Sequence, residues 1–315
     1  MKIFVSICSY RDPLLVYTLK ALMQTKSAIT EVVYGIFEQN EKENSLETLF
    51  PDLVARSDVK YKRIDPQYSE GVGWARNINA LQLTDEDFYY QIDSHMVFDK
   101  NWDRDLINDY KEGCRAIESN RVIISSNCKN FEMVDGNVVL EHGMDYTCRA
   151  RFYQFNPNLW LFAHGEHIPP TETVMPAIHI FAGNMFTHSD WVRNVVINPR
   201  IFFHGEEQAI TLSSFAAGYR FFHGKRMSCY HYKGSNEHTS KQDFKPVVSL
   251  EIIEERKRRS EIEFRAFLDS LEDDLLEEYR VYSGVNYINK KIEERAITRV
   301  IKPSIDIDWE VGDSE

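Results

Sequence analysis

Phe88-Tyr89-Tyr90-Gln91-Ile92-Asp93-Ser94-His95-Met96 is the stretch on which the fold turns. Four of its first five residues are aromatic or aliphatic, which predicts a short buried strand. The strand ends in an Asp-x-His pair. In extended chain, residues i and i+2 project to the same side, so Asp93 and His95 can present a carboxylate oxygen and an imidazole nitrogen to one ion. Such a mixed set suits Mn²⁺ and tolerates Mg²⁺ less well. The same pair also reads as a strand-end Asp in a turn beside a surface histidine.

On the N-terminal side, strands alternate with helices. Ile3 to Cys8 is a β-rich apolar run ending in the polar turn Ser9-Tyr10-Arg11-Asp12-Pro13, after which Leu14, Leu15, Thr18, Leu19 and Leu22 recur at helical spacing. Glu31 to Phe37 and Val59 to Ile64 read as strands, Leu46 to Val54 as helix, and Gly71 to Leu83 as a loop entering a helix. Asn101 to Ile117 is a further helix. This alternation predicts an α/β fold with a mostly parallel central sheet flanked by helices and ligands beyond the carboxyl ends of its strands. After about Val122 the β segments shorten, with a hairpin expected at Val134-Asp135-Gly136-Asn137-Val138. Val247 to Tyr282 is charged and helical in period. We divide the chain at residue 245, with a C-terminal helical extension over 246–315.

The 315 residues are 43% hydrophobic and 27% charged, a globular composition. A net charge of −12 argues against a general electrostatic grip on nucleic acid. Five scattered cysteines with no CxxC pair predict reduced thiols in a cytosol. Met1 to Ser9 lacks the organisation of a signal peptide, and no apolar run approaches the ~18 residues of a membrane span, so we expect a soluble, cytoplasmic protein.

Two more clusters carry chemistry. Phe202-Phe203-His204-Gly205-Glu206-Glu207 precedes a helical stretch, and Cys229-Tyr230-His231-Tyr232 follows a short strand. Acids at a helix start are favoured by the macrodipole alone, and His231 reads equally as a core histidine. The order of the clusters is more specific than any one of them. Ser6 to Pro13, Gly73-Trp74-Ala75-Arg76, Gln91 to Met96, Phe181-Ala182-Gly183-Asn184, Phe203 to Glu207 and His231-Tyr232 resemble, in that order, the GT-A fold polypeptide N-acetylglucosaminyltransferases that include the hydroxyproline-modifying enzymes. The polypeptide N-acetylgalactosaminyltransferases are more distantly similar. The resemblance covers about residues 1 to 235.

It implies a GT-A (Rossmann-like) catalytic domain over 1–245, nucleotide-binding to about 120 and acceptor-binding from 121. It implies Asp93, His95 and His231 as ligands of Mn²⁺ or Mg²⁺, with a UDP-sugar, favoured as UDP-N-acetylglucosamine, as donor. Arg11 and Arg76 become nucleotide contacts, Gly183 and Asn184 the turn facing the donor sugar, and Glu206 the carboxylate facing sugar and acceptor, with Glu207 as the fallback. The expected reaction is sugar transfer to an acceptor hydroxyl with retention, in which the departing β-phosphate oxygen takes the acceptor proton. Phe152 to Pro176, with Tyr153, Phe155, Trp160, Phe162, His164 and His167, is the candidate acceptor groove. A polypeptide acceptor is favoured by the resemblance. Two alternatives stand beside it: glycosylation of a modified base in viral DNA, hinted at by Arg256 to Arg259 and by Lys225, Arg226, Lys233, Lys241 and Lys245, and a non-catalytic sugar-nucleotide or glycan-binding protein.

Overall fold

The computed structural model describes residues 1–141, 145–155, 160–234 and 247–297. Lys241, Lys245, residues 298–315 and the side chains of Tyr153 and Phe162 lie outside the described residues. The first half follows the alternation: β1 (Lys2–Tyr10), α1 (Leu15–Thr25), β2 (Glu31–Gln39), the short helices α2 (Leu46–Leu49) and α3 (Pro51–Val54), β3 (Val59–Ile64), α4 (Val72–Ala80), β4 (Phe88–Ile92), β5 (Met96–Phe98) and α5 (Trp102–Ala116). The second half holds β6 (Val122–Ser125), β7 (Lys129–Val134), β8 (Asn137–Leu140), β9 (Thr147–Phe155), β10 (Leu161–Ile168), β11 (Met175–Ala177), β12 (Asn184–His188), α6 (Trp191–Asn194), α7 (Glu206–Ala216), β13 (Arg220–His223) and β14 (Cys229–Tyr232). Then come α8 (Leu250–Asp269), α9 (Asp273–Ser283), the small pair β15 (Val285–Asn286) and β16 (Lys291–Ile292), and α10 (Glu294–Ile297).

Eight strands form one sheet in the order β11-β13-β6-β12-β4-β1-β2-β3. Strands β1 to β4 pair in parallel, as the alternation predicts. The later half is mixed: β12 runs antiparallel to both β4 and β6, and β11 antiparallel to β13. The β7–β8 hairpin turns at Asp135-Gly136, both at positive φ, the geometry that suits the strand twist.

Alternation along the strands sorts the core into two layers. On one face Ile3, Val5, Ile7, Tyr90 and Ile92 pack against Leu15, Leu19 and Leu22 of α1 and Trp102, Leu106 and Tyr110 of α5. On the other, Phe4, Tyr89, Met185 and Phe221 pack with α7 and, through Phe264, Leu268, Leu276, Tyr279 and Tyr282, with α8 and α9. The C-terminal helices thus complete a core layer. Each such aromatic or leucine side chain contributes ~1.5–3 kcal/mol when fully buried. A second sheet, β5-β14-β7-β8, stands beside the carboxyl end of β4, and its pairing of β14 with β5 sets His231 opposite Met96.

Among the described residues no helix is long and apolar enough to cross a membrane. The five cysteines are free thiols.

Candidate metal centre

Strand β4 ends at Ile92, and the chain turns sharply through Asp93-Ser94-His95 into β5. Thr18 of α1 fixes that turn: its hydroxyl donates to the Ser94 carbonyl (2.7 Å) and accepts from the Met96 N–H (2.8 Å). The β5–β14 pairing, together with the bond from Tyr232 N–H to the His95 carbonyl (3.0 Å), brings in His231 from 136 residues away. One ligand atom from each of Asp93, His95 and His231 can be chosen so that all lie within 4.8 Å of one another. His95 Nε2 and His231 Nε2 are 2.9 Å apart, and His231 Nε2 is 3.6 Å from Asp93 Oδ2.

The donor set fits a divalent transition ion. Two imidazole nitrogens converge beside one carboxylate oxygen, a combination that such ions accept. Asp93 and His231 keep about a third of their side-chain surface in contact with solvent (32% and 38%), so a bound ion would keep positions open for a ligand. Burial pushes the Asp93 carboxyl up, but His231, Arg76 and His95 together hold it well below the usual carboxylate range. Burial pushes His95 down, yet the carboxylate of Asp12, which accepts from His95 Nδ1–H at 2.6 Å, leaves it raised.

Behind the open cluster lies a dry ion pair. Arg76 (6% exposed) sets Nη1 2.8 and 2.6 Å from the two oxygens of Glu206 (4%) and Nη2 3.0 Å from Asp93 Oδ1. Burial pushes the Arg76 guanidinium down, but the two carboxylates outweigh it and leave it raised. Burial pushes the Glu206 carboxyl up while Arg76 pulls it down.

The structure therefore places Asp93, His95, His231, Arg76, Glu206 and Gly183 together. Gly183 is needed because a Cβ there would sit 2.3 Å from Asp93 Oδ2. Its loop is pinned by Gln91, whose amide donates to the Ala182 carbonyl (2.8 Å), and by Asp93 N–H, which donates to the Gly183 carbonyl (3.2 Å). Asn184 is held inside: its amide donates to the Ser126 carbonyl (3.0 Å) and Cys229 Sγ (3.2 Å), and its oxygen accepts from Tyr90 (2.9 Å). Glu206 likewise has both oxygens on Arg76. Glu207 is the half-exposed carboxylate, one oxygen accepting from Ala182 N–H (2.9 Å). Arg11 lies at the end of β1, its Nε 3.0 Å from Glu41.

The charged positions behind the DNA alternative are largely paired within the chain. Arg256 and Arg259 both bind Glu70, Lys257 binds Glu254, Lys225 binds Glu112 and Arg226 binds Asp105. In the aromatic segment Phe152 is core, while the Trp160 ring lies tilted against His204, centroids 4.6 Å apart, on the loop that leads into Glu206.

Asp12, Thr18 and Gln91 do not stand out as site residues in the sequence. The signals for Asp12 are its place in the Ser6 to Pro13 stretch that carries the resemblance and in the polar turn at the carboxyl end of β1, the edge where an α/β sheet binds its ligands.

The family model for glycosyltransferase (GlcNAc) matches residues 2–52 and 51–259. No curated protein sequence matches the chain. Among solved structures the chain is similar to GalNAc-T7 with UDP, GalNAc and Mn²⁺, at TM-score 0.60 and 12% identity over 89% of this chain and 50% of that one. It is also similar to S. aureus TarS residues 1–349 in complex with UDP-GlcNAc, at TM-score 0.51 and 16% identity over 89% and 70%. This chain thus spans about half the length of the GalNAc-T7 chain, and at these identities the likeness is one of fold.

Proposed function

Because this chain belongs to the glycosyltransferase (GlcNAc) family, we propose that it moves a sugar, favoured as N-acetylglucosamine, from a UDP-sugar to an acceptor hydroxyl, in a reaction that needs a divalent ion and retains anomeric configuration. The observation that carries the proposal is the convergence of Asp93, His95 and His231 at the carboxyl end of β4. The UDP in both similar structures and the Mn²⁺ in GalNAc-T7 support the choice of donor and ion. A divalent ion held by these three residues supplies positive charge to a leaving diphosphate without moving a proton.

Arg76 fixes the carboxylate of Asp93 from one side and Glu206 fixes Arg76. Gly183 leaves room for the Asp93 carboxylate against the backbone of its loop. The acceptor oxygen bonds to the anomeric carbon on the face from which UDP departs, the bond to the β-phosphate oxygen breaks, and that oxygen takes the acceptor proton. No protein base is then required, which agrees with the burial of Glu206. The resemblance favours a polypeptide hydroxyl as acceptor, with Trp160 and His204 next to Glu206 as part of its groove.

The test is UDP release from UDP-N-acetylglucosamine, with water replacing the acceptor. Release with Mn²⁺ should stop on adding EDTA and return on adding Mn²⁺ in excess. Equal release in both samples would remove the metal assignment.

A further inference from the structure

Asp12 sits in the loop between β1 and α1 and is almost wholly buried. It is 81 residues from Asp93 in sequence, yet one of its carboxylate oxygens holds the turn that carries the candidate ligands. Oδ1 accepts from Leu14 N–H (2.8 Å), which fixes the side chain within its own loop. Oδ2 accepts from Ser94 Oγ–H (2.5 Å) and from His95 Nδ1–H (2.6 Å). A carboxylate without a proton can only accept, so this contact places a hydrogen on His95 Nδ1 and, in the neutral imidazole, leaves the lone pair on Nε2. That Nε2 is the atom 2.9 Å from His231 Nε2.

We propose that Asp12 is a positioning residue for metal binding, setting the tautomer and the ring orientation of His95 so that its Nε2 lone pair faces the ion. This rests on reading Asp93, His95 and His231 as ligands. Asp12 itself is outside the group that would hold the ion. Without its carboxylate, His95 is free to carry its hydrogen on Nε2 or to turn its ring, and either change withdraws the lone pair. Ser94 strengthens the arrangement, because its hydroxyl holds the same oxygen and stops the carboxylate from swinging away. Losing a partner of this kind costs ~10–100-fold in metal affinity.

The experiment is titration of the full chain with Mn²⁺ alone, following free Mn²⁺ by electron paramagnetic resonance. Wild type, Asp12→Ala, Asp12→Asn and His95→Ala are compared, each after its thermal midpoint is measured. Asp12→Ala should bind Mn²⁺ ~10–100-fold more weakly. Asp12→Asn, whose carbonyl oxygen still accepts from Nδ1–H, should recover part of the loss. In wild type without metal at pH 8, the ¹⁵N spectrum should show His95 with its hydrogen on Nδ1, a readout that needs no variant to fold. Wild-type affinity in Asp12→Ala, or a hydrogen on Nε2 in wild type, overturns the proposal. Failure of wild type to bind Mn²⁺, or His95→Ala binding it as wild type does, would instead remove the ligand reading on which the proposal rests.

Discussion

The Asp93–His95–His231 cluster and the Arg76–Glu206 pair share Asp93 but are built on opposite terms. The first is open, and its ligand atoms face one another. The second is dry, and its charges are neutralised within the protein. Charges removed from water must be paired or they destabilise the fold, whereas groups at a solvent-facing rim can wait for a ligand. The open cluster is thus where an ion could enter, and the dry pair holds one of its candidate ligands, Asp93, in place.

The C-terminal helix α8 lies against the dry side. Ser260 Oγ accepts from Phe202 N–H (3.0 Å) and donates to the His204 carbonyl (3.4 Å), and Phe264 packs beneath Gly205. Gly205 has φ +89, so a side chain there would be strained as well as crowded. Arg256 and Arg259 hold Glu70, next to the start of α4, which carries Arg76. One helix therefore braces both loops from which the ion pair springs.

The largest expected effect breaks the dry pair. Arg76→Met leaves the buried Glu206 carboxylate alone and should cost about 3–5 kcal/mol in unfolding experiments; Glu206→Gln, which leaves Arg76 paired with Asp93 only, should cost less. Glu206→Gln should also lower turnover by ~10²-fold or more, with UDP affinity nearly unchanged. Glu207→Gln should change both quantities much less. If Glu206→Gln were as stable as wild type while Glu207→Gln lost turnover, the roles of the two acids would be exchanged.

A smaller effect concerns a second dry group. His223 donates Nδ1–H to the Ser125 carbonyl (2.7 Å) and accepts at Nε2 from Ala150 N–H (3.0 Å), and burial pushes its pKa down to about 4. Its folded pKa lies below its unfolded value, so the unfolded chain binds the extra proton first. The contribution is complete above pH ~6.5 and declines as pH falls toward about 4, a loss on the order of 3 kcal/mol. The stability difference between pH 7 and pH 4.5 should be smaller in His223→Gln than in wild type. Equal differences would show that His223 does not titrate as a dry group.

The smallest effect tests the brace. Ser260→Ala should destabilise by about 1–3 kcal/mol, because Phe202 N–H loses its buried acceptor. It should lower turnover without weakening Mn²⁺ binding. Weaker Mn²⁺ binding would mean that α8 supports the open cluster as well.

The two regions also differ in how far the sequence discloses them. The strand Phe88–Ile92, the Asp93/His95 pair, the hairpin turn at Asp135-Gly136 and the helix starting at Glu206 are local, and periodicity or turn chemistry marks each. The antiparallel course of β12 and the pairing of β14 with β5 depend on register between distant segments, which no local pattern encodes. Arg76 is 130 residues from Glu206, so their ion pair is equally hidden, and the nucleotide contact expected of Arg76 gives no sign of it. Asn184 reads as a sugar contact because its amide can serve either role; only the packing shows it held by Ser126, Cys229 and Tyr90. The α8–α9 segment reads from sequence as charged and helical in period, and its contribution to the core rests on spaced apolar positions such as Phe264 and Leu268.

The most direct test of the central claim is a crystal of the full chain grown with Mn²⁺ and UDP, with anomalous diffraction recorded at the manganese edge. One anomalous peak is expected at bonding distance from Asp93, His95 Nε2 and His231 Nε2, with UDP completing its shell and Arg76 still paired to Glu206. No peak there at saturating Mn²⁺, in protein that releases UDP equally with and without EDTA, would contradict it.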